Sequence, residues 1–184
     1  MLGRWPRRTT VAASPRTDLP AEVASLAELV AVLVATPAEG AGMAALSLDV
    51  KDPAAAAPAL AAVREGAGTT QRLFLCGPLN ALAAWRRLDR DVRLVDSTRL
   101  RDVREGLTDR ARTLRALGAQ ALNLPAREWD AERVRRVQRE GVLAFSWDAH
   151  TVVGVRRLVG FGVDAVYGDD VRALLAGAAD GPGR

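Results

Sequence analysis

Residues 142–170 read VLAFSWDAH, then TVVGVRRLVGFG, then VDAVYGDD. An apolar run ends on Trp147. Val152, Val155, Leu158 and Val159 then recur at helical spacing and form one apolar stripe, with Asp148 placed to cap the helix and Gly160 and Gly162 placed to stop it. A second apolar run ends on Gly168 and Asp169. Strand, helix, strand in so short a span predicts two parallel strands, because a parallel pair needs a crossover of this length. In such units chemistry collects at the carboxyl ends of strands, where Trp147 and Asp169 stand.

The same alternation extends upstream. Apolar runs recur near 46, 72, 92, 121, 142 and 164, each followed by a helical pattern. Ser25 is placed to cap a helix over SLAELVAVLVA. Asp52-Pro53 reads as the N-cap and first residue of a helix running to about Arg64. Gly77-Pro78 starts a helix through Trp85 and Leu88, Ser97 or Thr98 caps a short turn, and Asp130 caps AERVRRVQRE. Repeated βα units predict an α/β fold with a parallel sheet. No glycine-rich nucleotide loop follows any strand, which favours a barrel over a nucleotide-binding open sheet. A complete barrel has eight strands, so the expected fold is an incomplete TIM (β/α) barrel of about six parallel strands with helices outside. It spans residues 21–177, between a loop at 1–20 and a disordered tail at 178–184.

The segment LSLDVKD at 46–52 carries the first site candidates. Strand alternation puts Leu46, Leu48 and Val50 on one side and Ser47, Asp49 and Lys51 on the other. An acid and a base on the inner side of a barrel mouth are costly unless paired or used. Lys51 is the single lysine among 26 basic residues. A compact ammonium differs chemically from a guanidinium fork, so position 51 is singled out.

Composition excludes several classes. The chain has 184 residues, 49% hydrophobic and 26% charged, enough for one cored domain. No stretch is apolar enough to span a bilayer, and MLGRWPRRTT lacks a signal-peptide core, so a cytoplasmic location is expected. Cys76 is the only cysteine, which excludes an internal disulfide or a cysteine-based zinc site. The net charge is +4, but the arginines alternate with acids on helix faces and no aromatic residues interleave with them, so no nucleic-acid partner is expected.

Five segments together resemble the glycerophosphodiester phosphodiesterase family. LSLDVKD resembles its L-N-I-E-I-K strand, FSWDAH its W-T-V-N segment and GVDAVYGDD its G-V-D-G-I-x-T-D-x-P ending. PRRTT resembles its L-x-R-T-T segment, and EVASLAELVAVL is similar to its I-P-T-L-E-E-V-L helix. The resemblance implies a TIM barrel acting in lipid metabolism, a phosphoric diester hydrolase that cuts a glycerophosphodiester to an alcohol and glycerol 3-phosphate with a divalent metal, Mg or Ca. It implies Asp49, in place of the motif Glu, as a metal ligand. It implies Lys51 beside the phosphate and Trp147 lining the substrate pocket. Asp148 and His150 replace the Thr and Asn of W-T-V-N.

The family's H-R-G and E-x-D segments and its second histidine are not found in this sequence, so no catalytic residue is assigned. His150, the only histidine, lies past the strand end, where a solvated or capping role is expected. The resemblance therefore implies a shortened, weakly active hydrolase. The alternatives are a non-catalytic barrel remnant that binds phosphate ligands or a partner chain, and an unrelated phosphate-binding barrel enzyme. The last would need a glycine-rich cradle after the final strands, and GFG at 160–162 precedes the last one.

Overall fold

The computed structural model describes residues 23–36 and 45–179. The predicted loop at 1–20, the PRRTT segment and residues 180–184 of the predicted tail lie outside them. The described elements are α1 (Leu26–Ala35), β1 (Leu46–Asp49), α2 (Ala56–Ala67), β2 (Leu73–Gly77), α3 (Leu79–Leu88), β3 (Arg93–Ser97) and α4 (Leu107–Ala116). They continue with β4 (Ala121–Pro125), α5 (Ala131–Arg139), β5 (Leu143–Trp147), α6 (Val152–Phe161), β6 (Ala165–Val166) and α7 (Val171–Ala178).

All six strands are parallel and lie in the order β1-β2-β3-β4-β5-β6. Unbroken sequential order separates a barrel from a doubly wound sheet, whose order reverses at a switch point. The sheet curls, with helices around it, into an incomplete TIM barrel of α/β class. Six strands of the eight in a full barrel are present among the described residues.

Alternation along each strand divides the apolar residues into two layers. Leu48, Leu73, Leu75, Leu94, Leu122, Leu124 and Ala144 face the helices and pack with Leu60, Leu82, Trp85, Leu114, Val134 and Leu158. A smaller cluster of Cys76, Val95, Ala121 and Phe145, joined by Phe74, Ala165 and Tyr167, fills the inner face. Phe145 packs against Phe74 and, edge-on, Tyr167, with ring centroids 5.7 and 5.9 Å away. The inner residues step up the barrel from strand to strand. Asp49 pairs in register with Cys76, Cys76 with Val95, Ser97 with Asn123, Asn123 with Phe145, and Pro125 with Trp147.

Most predicted caps form. Ser25 and Glu28 make a reciprocal capping box on α1, and Asp130 accepts the Arg133 N–H on α5. Asp52 accepts the Ala54 N–H, but Pro53 opens a 3-10 turn before α2, which runs on to Ala67. Two expected caps are overturned. Asp148 sits in the left-handed region at φ 69°, which turns the chain before the helix, so Thr151 caps α6 by accepting the Gly154 N–H. Neither Ser97 nor Thr98 caps the turn after β3; the Glu128 carboxylate reaches across from the loop after β4 to accept the Leu100 N–H at 2.6 Å. Gly160 lies inside α6, and Gly162 at φ 85° ends it. The last strand is shorter than its apolar run suggests, two residues long.

Trp85 and Trp129 are buried packing residues, as expected. Their indole N–H groups donate to the carbonyls of Pro53 and Phe145 at 3.4 and 2.8 Å.

Candidate functional site

The inner face opens at the carboxyl ends of the strands into a cavity of about 270 Å³ lined by Ser47, Asp49, Lys51, Cys76, Ser97, Asn123, Trp147 and Tyr167. Each strand contributes by alternation. Ser47 and Asp49 are the inward residues of β1, and Lys51 follows two positions on. Cys76, Ser97, Asn123 and Trp147 point inward from β2, β3, β4 and β5. Tyr167 follows β6; its N–H donates to the Ser146 carbonyl at 2.7 Å and its carbonyl accepts the Ala149 N–H at 3.2 Å. Gly168 next to it leaves no room for a side chain, since a Cβ there would lie 2.1 Å from the Ala149 carbonyl oxygen.

The structure brings Asp49, Lys51 and Trp147 together around this one cavity. Lys51 Nζ donates to Asp49 Oδ2 at 2.5 Å. The pair stands at the rim, with the lysine side chain 83% and the aspartate 55% exposed. An exposed ion pair contributes under ~1 kcal/mol, so both groups can be recruited by a ligand at small cost.

Below the rim the lining carries no formal charge. Burial pushes the Cys76 thiol up to about 11, against the opposing hydrogen bond with Ser47. Burial also pushes the Tyr167 phenol up to about 12, again against the Ser47 hydrogen bond. Both remain protonated at neutral pH. Ser47 Oγ lies 3.3 Å from Cys76 Sγ and donates to Tyr167 Oη at 3.3 Å. Asn123 Nδ2 donates to Ser97 Oγ at 3.2 Å.

The sequence reading missed Arg99. It lies on the loop after β3 and places its guanidinium 4.8 Å from the centre of the Trp147 ring, a cation–π contact that holds the indole at the cavity wall. No strand alternation marks a loop arginine. Ser47 was legible as a polar residue on the inner side of the 46–52 strand, whereas the sequence reading assigned no face to Asn123 or Tyr167.

His150 and Asp169 do not join the cavity. His150 Nε2 contacts Asp148 Oδ1 at 2.6 Å and its Nδ1 lies 4.0 Å from Asp169 Oδ2, with the ring half exposed. This histidine lines a neighbouring groove with Arg127 and Arg157, and it does not cap α6.

The described residues do not fit a divalent metal. Mg²⁺ or Ca²⁺ takes six or more oxygen ligands. Among the described residues Asp49 is the one carboxylate on the cavity, and it is paired to Lys51. Among the described residues no group of three His, Cys, Asp or Glu side chains could hold an ion. No helix there is long and apolar enough to cross a membrane.

No family model matches the chain, and no curated protein matches it by sequence. Solved structures do match by fold. One, described as a glycerophosphoryl diester phosphodiesterase from Silicibacter pomeroyi, aligns with a TM-score of 0.64 at 22% identity, covering 82% of this chain and 56% of that one. Another, described as a glycerophosphodiester phosphodiesterase from Galdieria sulphuraria, aligns at 0.64 and 16% identity, covering 82% and 61%. An Oleispira antarctica phosphodiesterase, solved with the product sn-glycerol-3-phosphate, aligns at 0.57 and 17% identity, covering 72% and 54%. The chain thus shares the barrel fold of glycerophosphodiester phosphodiesterases and spans less than two thirds of the length of each. At these identities the likeness establishes the fold.

Proposed function

We propose that the cavity binds a glycerophosphodiester, and that the chain is a phosphoric diester hydrolase of the glycerophosphodiester phosphodiesterase type with weak turnover. One observation carries this reading: Asp49, Lys51 and Trp147 share the rim of a cavity at the carboxyl ends of the strands, in a fold similar to that family's. Lys51, exposed on a flexible stem, swings from Asp49 to a phosphate oxygen, and Trp147 gives the ligand an apolar wall. Weak turnover follows from the histidine count. The single histidine of this chain lies off the cavity, so no imidazole reaches a bound diester to move a proton. The same observation favours, as the second reading, a non-catalytic domain that retains phosphate binding.

No step of this reading passes through a metal. Asp49 by itself offers an ion too few oxygens, and beside Lys51 it repels the phosphodiester anion. Replacing it separates the possibilities. In metal-free buffer, Asp49→Asn is expected to tighten phosphodiester binding several-fold, and Lys51→Ala to weaken it by about tenfold, the scale of one charge-assisted contact. Glycerophosphocholine hydrolysis with Mg²⁺ or Ca²⁺ is expected to be slow and nearly unchanged in Asp49→Ala. Fast turnover that Asp49→Ala abolishes would reject the metal-free reading. Diester binding indifferent to Lys51→Ala would reject the site. Binding without turnover would select the second reading.

A further inference from the structure

Exposed apolar side chains gather at the two ends of the curled sheet. Among the described residues eight large hydrophobic side chains are exposed, and five of them lie on α1 and α7: Leu29, Val32, Val34, Val171 and Leu175. These are the first and last described helices, beside β1 and β6. Single exposed apolar residues are normal, but several on one helix mark a contact surface. α1 reads LAELVAVLVA, and only Val30 and Leu33 of it are buried. Its one charged residue, Glu28, is held by the Ser25 cap. A helix apolar on every face belongs inside a larger packed structure.

The two ends differ in shape, and the difference is complementary. Between α1 and α2 runs an open groove of about 630 Å³, lined by Ala27, Ala31, Val34 and Ala35 of α1 and by Ala62 and Gly66 of α2. The small residues keep it open. Gly66 also lets α1 close onto α2, since a Cβ there would lie 2.5 Å from Val30 Cγ1. α7 carries the opposite relief. Val171 and Leu175 stand one turn apart, 64% and 68% exposed, and form a raised i, i+4 ridge. Such a ridge is the shape that a groove between helical rows accepts. Charge agrees with shape: Glu65 lines the groove, Arg172 flanks the ridge, and both residues are exposed. The ridge does not fill the groove of its own chain, because it stands in solvent and β1 and β6 lie at opposite ends of the sheet.

We infer that the α7 ridge of one copy docks into the α1–α2 groove of a second copy, so that the chain associates with itself head to tail. The contact is heterologous: each copy offers one ridge and one groove, and an unused one of each remains at the ends of the assembly. One helix ridge in one groove covers less than the roughly 800 Å² per partner of a stable complex. The association is therefore weak, with a Kd of about 10–100 μM or higher. Ridge and groove share no residue with the cavity, so this contact stands or falls apart from the proposed function.

Sedimentation velocity of the full chain, run from about 5 to 500 μM to bracket that affinity, tests this. The weight-average mass is expected to rise with concentration above the 19.6 kDa of one chain. Ala31→Glu blocks the groove with a charge, and Leu175→Glu destroys the ridge. Both positions are exposed, so urea midpoints should match the parent's; Val34→Glu and Val171→Glu serve if either variant fails to fold. Each variant alone should stay a monomer. Mixed, they should form a pair and nothing larger, because the intact ridge of Ala31→Glu meets the intact groove of Leu175→Glu once only. Association that survives Leu175→Glu would overturn the inference and point to α1 pairing with α1. A mixture that stays monomeric would overturn it as well. So would a parent that is monomeric throughout, which would mean that another part of the same chain, or a different partner, covers the groove.

Discussion

Ser47, on the first strand of the sheet, donates a hydrogen bond to the phenol of Tyr167, just past the last strand, at 3.3 Å. β1 and β6 share no backbone ladder, so this side-chain contact joins the two ends of the curled sheet across its inner face. A hydrogen bond of this kind contributes roughly 0.5–1.5 kcal/mol net. Tyr167→Phe and Ser47→Ala are each expected to lower stability by about 1 kcal/mol in urea denaturation. The double variant should lose less than the sum, since the two hydroxyls serve one contact. Strict additivity would mean that the contact does not couple the sheet ends.

The same cluster sets an alkaline limit. Cys76 goes from 9.0 up to about 11 and Tyr167 from 10.0 up to about 12, both chiefly through burial. The unfolded chain therefore loses these protons first as pH rises. Their contribution to stability is complete below about pH 9 and disappears as pH climbs through the folded values. Urea midpoints should hold from neutrality to about pH 9 and then fall, with a shallower fall in Cys76→Ala and in Tyr167→Phe. Native Cys76 should also resist iodoacetamide at pH 8, where its reactive thiolate is scarce. Rapid alkylation of the folded chain would contradict its burial.

Acid acts at a different place. Asp89 is buried at the end of α3. Its Oδ1 accepts the N–H groups of Asp91 and Val92, and its Oδ2 accepts from Thr70 and from Arg64 at 2.7 Å. Burial alone would raise this carboxyl, but the Val92, Thr70, Asp91 and Arg64 bonds outweigh it and hold the group below the usual carboxylate range. Its stabilisation is present above the unfolded value of 3.8 and lost as pH falls through the lower folded one. Asp89→Ala strands several donors and is expected to cost ~3 kcal/mol, read from chemical denaturation at pH 7. It should also reduce the loss of stability between about pH 4 and pH 2. An acid limb identical to the parent's would remove Asp89 from the account.

Legibility in the sequence followed the physics of each element. The parallel sheet was readable because strands buried on both faces are continuous apolar runs, and each was punctuated by a capped helix. Asp49 and Lys51 were readable because period-two alternation fixes the face of a strand residue, and Trp147 because it closes an apolar run at a strand end and matches the family's W-T-V-N segment. Asp148 misled because its type suits a cap, whereas its backbone is left-handed, and one residue's φ leaves no mark on hydrophobic periodicity. Glu128 capping Leu100 was invisible for another reason: its partner is 28 residues away and comes from the neighbouring strand's loop. That Asn123 Oδ1 and Trp147 Nε1 are buried without a partner needed coordinates, since composition says nothing about which polar atoms find partners.

Outside the cavity the fold also keeps a buried ionic cluster between β3 and α4, and its behaviour under substitution follows from desolvation. Asp96, on the helix-facing side of β3, meets Arg110 of α4 at 2.6 Å, and the Arg110 Nε reaches Glu105. Asp96 and Arg110 are almost fully enclosed, while Glu105 reaches solvent. Burial raises the Asp96 carboxyl, with the Arg110 hydrogen bond pulling the other way; that arginine in turn holds Glu105 low. Removing one member of such a cluster leaves the other charge uncompensated, at roughly 3–5 kcal/mol, whereas replacing the pair by apolar residues of similar volume is often neutral or stabilising. Arg110→Met and Asp96→Leu are therefore each expected to destabilise by ~3 kcal/mol or more, and the double variant by much less than either. Thermal and urea melts of the three variants measure this directly. A double variant as unstable as the sum of the singles would show that Arg110 holds α4 against β3 through Glu105 and the Asp102 carbonyl, which it also contacts at 3.3 Å, and not chiefly through Asp96.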